Sequence, residues 1–233
     1  MFYYSDLIYI LPALLLTLWA SARVKSTYNK YSQVLCSRGL TGAAAARRIL
    51  DENGCTNVAI ERVSGELTDH FDPAANVVRL SESVYGSSSI AAIGVAAHEC
   101  GHAIQYAESY SPMRLRAKII PVTSFASRFA VPMVLLGILL GAYAETMISV
   151  AYAGIVLYGF CVLFQLVTLP VEFNASRRAL AILEDRAMLT GDELGGTKKV
   201  LSAAAMTYVA ALASSLLQML RLLSILNNNQ RRR

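Results

Sequence analysis

The chain has 233 residues, of which 55% are hydrophobic and 16% charged, and its mean hydropathy is +0.45. Values this far from soluble averages exclude an ordinary soluble globular protein. The net charge of +5 does not point to nucleic acid, because the basic residues gather at the ends of apolar runs, where membrane orientation places them.

Phe2 to Ala22 has the length of one membrane span and runs into Arg23 and Lys25. A cleaved signal peptide carries its positive charges ahead of the apolar core, so this segment is expected to be an anchor with its N-terminus outside. From Arg23 to Lys118 the chain mixes charges, glycines and polar residues at globular density, enough for a small domain. Within it, Thr41 to Asn53 reads as a capped helix ending at Gly54. Glu66 to Phe71 and Asn76 to Leu80 read as extended segments around the Asp72-Pro73 turn. Val77, Val78 and Leu80 suit either sheet core or a strand that pairs with an extended substrate. Ser87, Ser88 and Ser89 offer N-caps to a helix over Ile90 to Ala107.

The second apolar region, Phe129 to Leu169, is interrupted around Gly141 to Glu145 and suits two spans joined by a tight turn. Arg114, Arg116, Lys118 and Arg128 precede it and Arg177 and Arg178 follow it, so both flanks are expected on the cytoplasmic side. Four cysteines without a CxxC pair fit a reducing compartment. A fresh helix is expected from Glu172 to Met188 after Pro170. In Val200 to Leu226, Thr207, Ser214, Gln218 and Arg221 share one face of a helix, directed at a neighbouring helix or at water. Whether this last segment spans the membrane stays open, since Arg231, Arg232 and Arg233 would then lie outside.

His98-Glu99-Cys100-Gly101-His102 uses two of the three histidines in the pattern His-Glu-x-x-His. On a helix the two imidazoles share a face and can hold one zinc ion, with Glu99 directed at the activated water. A catalytic zinc site takes three protein ligands. Gln105 and Glu108 stand where a metzincin carries glycine and histidine, so the third ligand comes from elsewhere. Glu145 falls on the wrong side of the membrane, whereas two spans separate His102 from Glu172 and return the chain to the histidine side. Glu172 is therefore the expected third ligand, with Ala175 and Ala179 small enough to let its helix approach closely. His70 is a candidate to hydrogen-bond the oxyanion or contact the metal, or else a surface histidine in a turn. Cys100 reads as a packed small residue.

The phrases Leu67 to Pro73, Val78 to Ser81, Ala96 to Gln105 and Val171 to Ser176 resemble the YugP-type neutral zinc metallopeptidases, a family of bacterial membrane proteins, and the resemblance covers nearly the whole chain. It implies zinc at His98, His102 and a downstream glutamate, Glu99 as catalytic residue, and a multi-pass location in the bacterial inner membrane. A looser similarity links the chain to the HtpX and CAAX-prenyl endopeptidases, in which the glutamate is followed by alanine and aspartate. Ala175 and Ser176 occupy those positions, so the support around the ligands differs.

The expected fold is a small α+β zincin-like catalytic domain combined with transmembrane α-helices, mainly α. Its parts are an anchor at 1–22, a cytoplasmic domain at 23–118, a membrane hairpin at 119–170, a helix with the third ligand at 171–199, and an apolar helix with a basic tail at 200–233. The expected activity is zinc-dependent endopeptidase action, with Glu99 and His70 catalytic, on a polypeptide that includes membrane proteins as candidates. The bilayer is a partner and nucleic acid is not; an oligomer or regulatory partner is not specified. The rival readings are an intramembrane zinc protease and a membrane scaffold that binds zinc without hydrolysing anything.

Overall fold

The structure is a computed structural model that describes residues 4–141 and 143–230. The first residues of the expected anchor, with Phe2 and Tyr3, and the tail Arg231 to Arg233 lie outside the described residues. The chain is mainly helical with one three-stranded sheet. In order it forms α1 (Tyr4–Tyr31), α2 (Gly42–Glu52), β1 (Ala59–Val63), β2 (His70–Asp72), β3 (Val77–Ser81), α3 (Glu82–Tyr85), α4 (Ile90–Ala107), α5 (Ser111–Leu140), α6 (Ile148–Asp185) and α7 (Gly191–Gln230).

Two compact units arise, each drawn from separate stretches of chain. One unit takes the described residues up to Trp19, Leu115–Leu169, and those from Tyr208 onward. Among the described residues, α1, α5, α6 and α7 are long and apolar enough to cross a membrane. Leu14, Leu15, Leu18, Leu135, Leu136, Leu139, Val156 and Leu166 are exposed, as lipid-facing side chains would be. Within this unit α5 and α6 pack on glycine. A Cβ on Gly154 would lie 2.8 Å from the carbonyl oxygen of Ala130, and one on Gly137 would press on the Ala151 backbone. The polar stripe of α7 meets α1 at Ser214, whose Oγ lies 3.2 Å from Thr17 Oγ1 and donates to the Ala13 carbonyl at 3.4 Å. A neighbouring helix, and not water, therefore takes that part of the stripe.

The other unit comprises Ala20–Arg114 and Pro170–Thr207. Its sheet runs in the order β1-β3-β2, with β1 parallel and β2 antiparallel to β3. Val77, Val78 and Leu80 of the central strand are buried, which decides between their two sequence readings in favour of core; β1 and β2 are the edge strands. Ile49 and Leu50 of α2 and Ile90, Ile93 and Ala97 of α4 complete this apolar core. The α2 cap is Thr41, whose Oγ1 accepts from the Ala44 amide, and the chain leaves through Gly54 at φ +73°.

Local structure departs from the sequence reading at four places. Extended structure does not reach back from Phe71 to Glu66, because Leu67 turns at φ +54°. The strand β1 was not foreseen, because Glu61 and Arg62 are exposed side by side and break the alternation that marks a half-buried strand. No new helix begins after Pro170, since α6 runs through it from Ile148 to Asp185. The proline ring forfeits one ladder hydrogen bond, while ending and restarting the helix would leave several N–H and C=O groups to satisfy. Similarly, α1 continues past Ala22 to Tyr31 because nothing in Ser21 to Tyr31 breaks a helix.

Candidate metal centre

Helix α4 starts where Ser89 Oγ accepts the Ala92 amide at 3.2 Å. Three turns later it presents His98, Glu99 and His102. Helix α6 supplies Glu172. The Glu172 carboxylate oxygen Oε2 lies 3.2 Å from His98 Nε2 and 3.4 Å from His102 Nε2. One donor atom from each of the three residues falls within 4.8 Å of the other two, the spread of a set able to surround one cation. The imidazoles stand edge to face, with centroids 4.7 Å apart and planes at 82°, so both Nε2 atoms aim at the carboxylate. Glu172 is only 2% exposed. Burying a carboxylate is costly without compensating charge, and two imidazole nitrogens with one carboxylate oxygen form a donor set that zinc accepts.

Close approach of the two helices makes this meeting possible. Ala175 and Ala179, on the same side of α6 as Glu172, are completely buried. Facing them is Gly101, where a Cβ would come within 2.8 Å of the Ala175 carbonyl oxygen.

Each imidazole is also held from behind. Ser176 Oγ lies 3.1 Å from His98 Nδ1, so a hydroxyl does the work expected of the absent aspartate. Gln105 Oε1 lies 3.0 Å from His102 Nδ1. Burial alone would push the His102 imidazole down, but the Glu172 and Glu99 carboxylates outweigh it and hold the ring above the ordinary histidine range. Sequence reading overlooked Gln105 as a functional residue, weighing it only as a departure from the metzincin pattern. Its signal was the three-residue spacing from His102, which puts both on one helix face.

Glu99 points to another partner. Its Oε2 accepts the backbone amide of Phe71 in β2 at 3.0 Å. The amide that reaches Glu99 comes from the free side of an edge strand, so no ladder hydrogen bond is given up for it. Phe71 in turn packs its ring against Tyr106 of α4, with centroids 5.8 Å apart. Asp69 fixes the chain before β2 by accepting the Ser81 amide at 2.7 Å and the Ser81 hydroxyl at 2.9 Å, and burial pushes its carboxyl up against the pull of those bonds. His70 is exposed and does not belong to the three-residue group. Its Nδ1 donates to the Thr68 carbonyl at 2.8 Å, so the neutral ring presents a lone pair at Nε2.

Other thiol and carboxylate groups near these helices have different surroundings. Cys100 Sγ faces the Ala46 carbonyl of α2 and burial pushes its thiol up, as for an inert packed residue. Asp185 and Asp192 are exposed. Glu193 belongs to a capping box, its carboxylate accepting the Thr190 amide and the Ser37 amide, each at 2.6 Å.

Apolar helices and a His, His, Glu group that is buried at His102 and Glu172 together describe a membrane protein with a candidate zinc centre. The family described as "Putative neutral zinc metallopeptidase" matches residues 6–227, and the chain belongs to it. It is similar to the "Putative membrane protease YugP" of Bacillus subtilis (strain 168), with 51% identity over 220 residues that cover 94% of this chain and 96% of the relative. No solved structure matches the chain.

Proposed function

We propose that the protein is a membrane-bound, zinc-dependent endopeptidase whose zincin-like catalytic part is the unit holding α4 and the Pro170 side of α6. The observation that carries this reading is the single carboxylate oxygen of Glu172 set between His98 Nε2 and His102 Nε2. His98, His102 and Glu172 would hold a zinc ion, which would supply Lewis acidity toward the scissile carbonyl and toward water. Glu99 receives the proton of the water that attacks the carbonyl carbon, and the Phe71 amide holds its carboxylate in place for that transfer. The same carboxyl then gives the proton to the leaving nitrogen as the C–N bond breaks, so no net proton stays on the enzyme. An extended substrate lies along the free edge of β2. His70 serves the oxyanion through Nε2, the ring nitrogen left facing away from the Thr68 carbonyl.

Zinc content and peptide hydrolysis of the detergent-purified chain test this assignment. Glu172→Ala is expected to lose most of its zinc and its activity, and zinc retained at the wild-type level would remove Glu172 from the ligands. In the same assay His70→Ala is expected to lower kcat roughly tenfold while KM changes little. An unchanged kcat would return His70 to the turn.

The catalytic unit is assigned to the cytoplasmic face of a bacterial inner membrane, since Arg114, Arg116, Lys118 and Arg128 lead into the hairpin and Arg177 and Arg178 follow it. Its substrates are then membrane or membrane-proximal polypeptides. A cysteine placed at exposed Ser64 is expected to react with a membrane-impermeant maleimide in inverted vesicles only. Labelling in intact cells would reverse the orientation.

A further inference from the structure

An arginine guanidinium has five N–H donors and no acceptor, so any atom that hydrogen-bonds to it must accept. Arg178 is held by Glu108 at 2.7 Å, and its Nε lies 2.8 Å from one side-chain atom of Asn174. That Asn174 atom is therefore the oxygen Oδ1. The Gln105 amide atom 2.9 Å from Asn174 Oδ1 also lies 2.8 Å from the Val171 carbonyl oxygen. Both neighbours only accept, so this atom is the NH2 nitrogen and spends its two hydrogens on them. Gln105 must then turn its oxygen toward His102, where it lies 3.0 Å from Nδ1. An amide oxygen has no hydrogen to give, so Nδ1 carries a hydrogen, and the proton that a metal displaces is the one on Nε2, the nitrogen that faces Glu172.

We propose that Gln105 is a positioning residue which, oriented by Val171, Asn174 and Arg178, fixes the ring of His102 with hydrogen at Nδ1 and Nε2 free for a metal. The inference rests on the metal-centre reading above. It singles out one histidine. Ser176 beside His98 is a hydroxyl that donates or accepts equally well, whereas Gln105 is fully buried and no water can replace its oxygen. Groups behind a ligating histidine typically account for 10–100-fold in metal affinity.

The test is the zinc dissociation constant of the full chain in detergent, measured by chelator competition, beside the thermal midpoint of the metal-free protein. Gln105→Met fills nearly the same volume and offers no comparable acceptor; its affinity is expected to fall roughly 10–100-fold. Gln105→Glu, protonated on the oxygen facing Val171, keeps an acceptor toward His102 and is expected to recover most of the loss. Half-buried Asn174 supplies a second pair that spares the core: Asn174→Asp keeps the oxygen and wild-type affinity, while Asn174→Leu weakens binding severalfold. Gln105→Met within twofold of wild type would overturn the proposal, and so would Gln105→Glu as weak as Gln105→Met at an unchanged midpoint. A wild-type chain that binds no zinc would instead overturn the metal-centre reading, and this inference with it.

Discussion

Glu99→Gln is expected to abolish most peptide hydrolysis, lowering kcat about 10²–10⁴-fold while zinc content stays at the wild-type level. The substitution keeps shape and one acceptor oxygen, so the Phe71 amide retains its partner at the position now 3.0 Å from the carboxylate. What disappears is the ability to take a proton from water and return it to the leaving amine. A loss of this size corresponds to about 3–5 kcal/mol of transition-state stabilisation. Zinc should stay because Glu99 is not one of the three residues whose donor atoms converge. The pairing of readouts separates the enzyme from a membrane protein that merely binds zinc. Hydrolysis that survives Glu99→Gln would end the proposed mechanism, and a wild-type chain that holds zinc but cleaves nothing would favour the scaffold.

Local chemistry was the part of this protein most legible in its sequence. The cap at Ser89 and the absence of breakers gave α4 its bounds, and helix periodicity put His98 and His102 on one face. Glu172 was reached by counting membrane crossings, a global argument that needed only the number of apolar runs. What escaped was set by contacts between distant segments. Pro170 looked like a boundary because its local preference is to stop a helix, yet the surrounding α6 overrides it. Asn174 carries no pattern of its own, and the spacing of Gln105 from His102 gains its meaning only when α4 and α6 lie side by side. The Phe71 amide is invisible to any reading of side chains, since the group that meets Glu99 belongs to the backbone of an edge strand.

Gly101 is a weak helix former, and its space is what the second large effect depends on. A methyl at this position is expected to weaken zinc binding at least tenfold while costing the metal-free chain at most about 2 kcal/mol, and Gly101→Val should abolish binding. Alanine favours the helix by about 1 kcal/mol over glycine, but its Cβ would stand 2.8 Å from the Ala175 carbonyl oxygen and 3.2 Å from the Ala175 Cα. Both obstacles are backbone, so no rotamer change relieves them and α6 itself must move, at a cost of about 1–3 kcal/mol for overpacking. The helix preference offsets about 1 kcal/mol of that cost and leaves the metal-free chain at most about 2 kcal/mol less stable. Geometry has no such offset. Glu172 lies three residues before Ala175 on the displaced helix, and ligand distances in a metal site tolerate only about 0.2 Å. Gly195→Ala is the control, since a Cβ there meets nothing within 4 Å; it should stabilise α7 slightly and leave zinc untouched. Wild-type zinc affinity in Gly101→Ala would mean that the closeness of α4 and α6 does not set the position of Glu172.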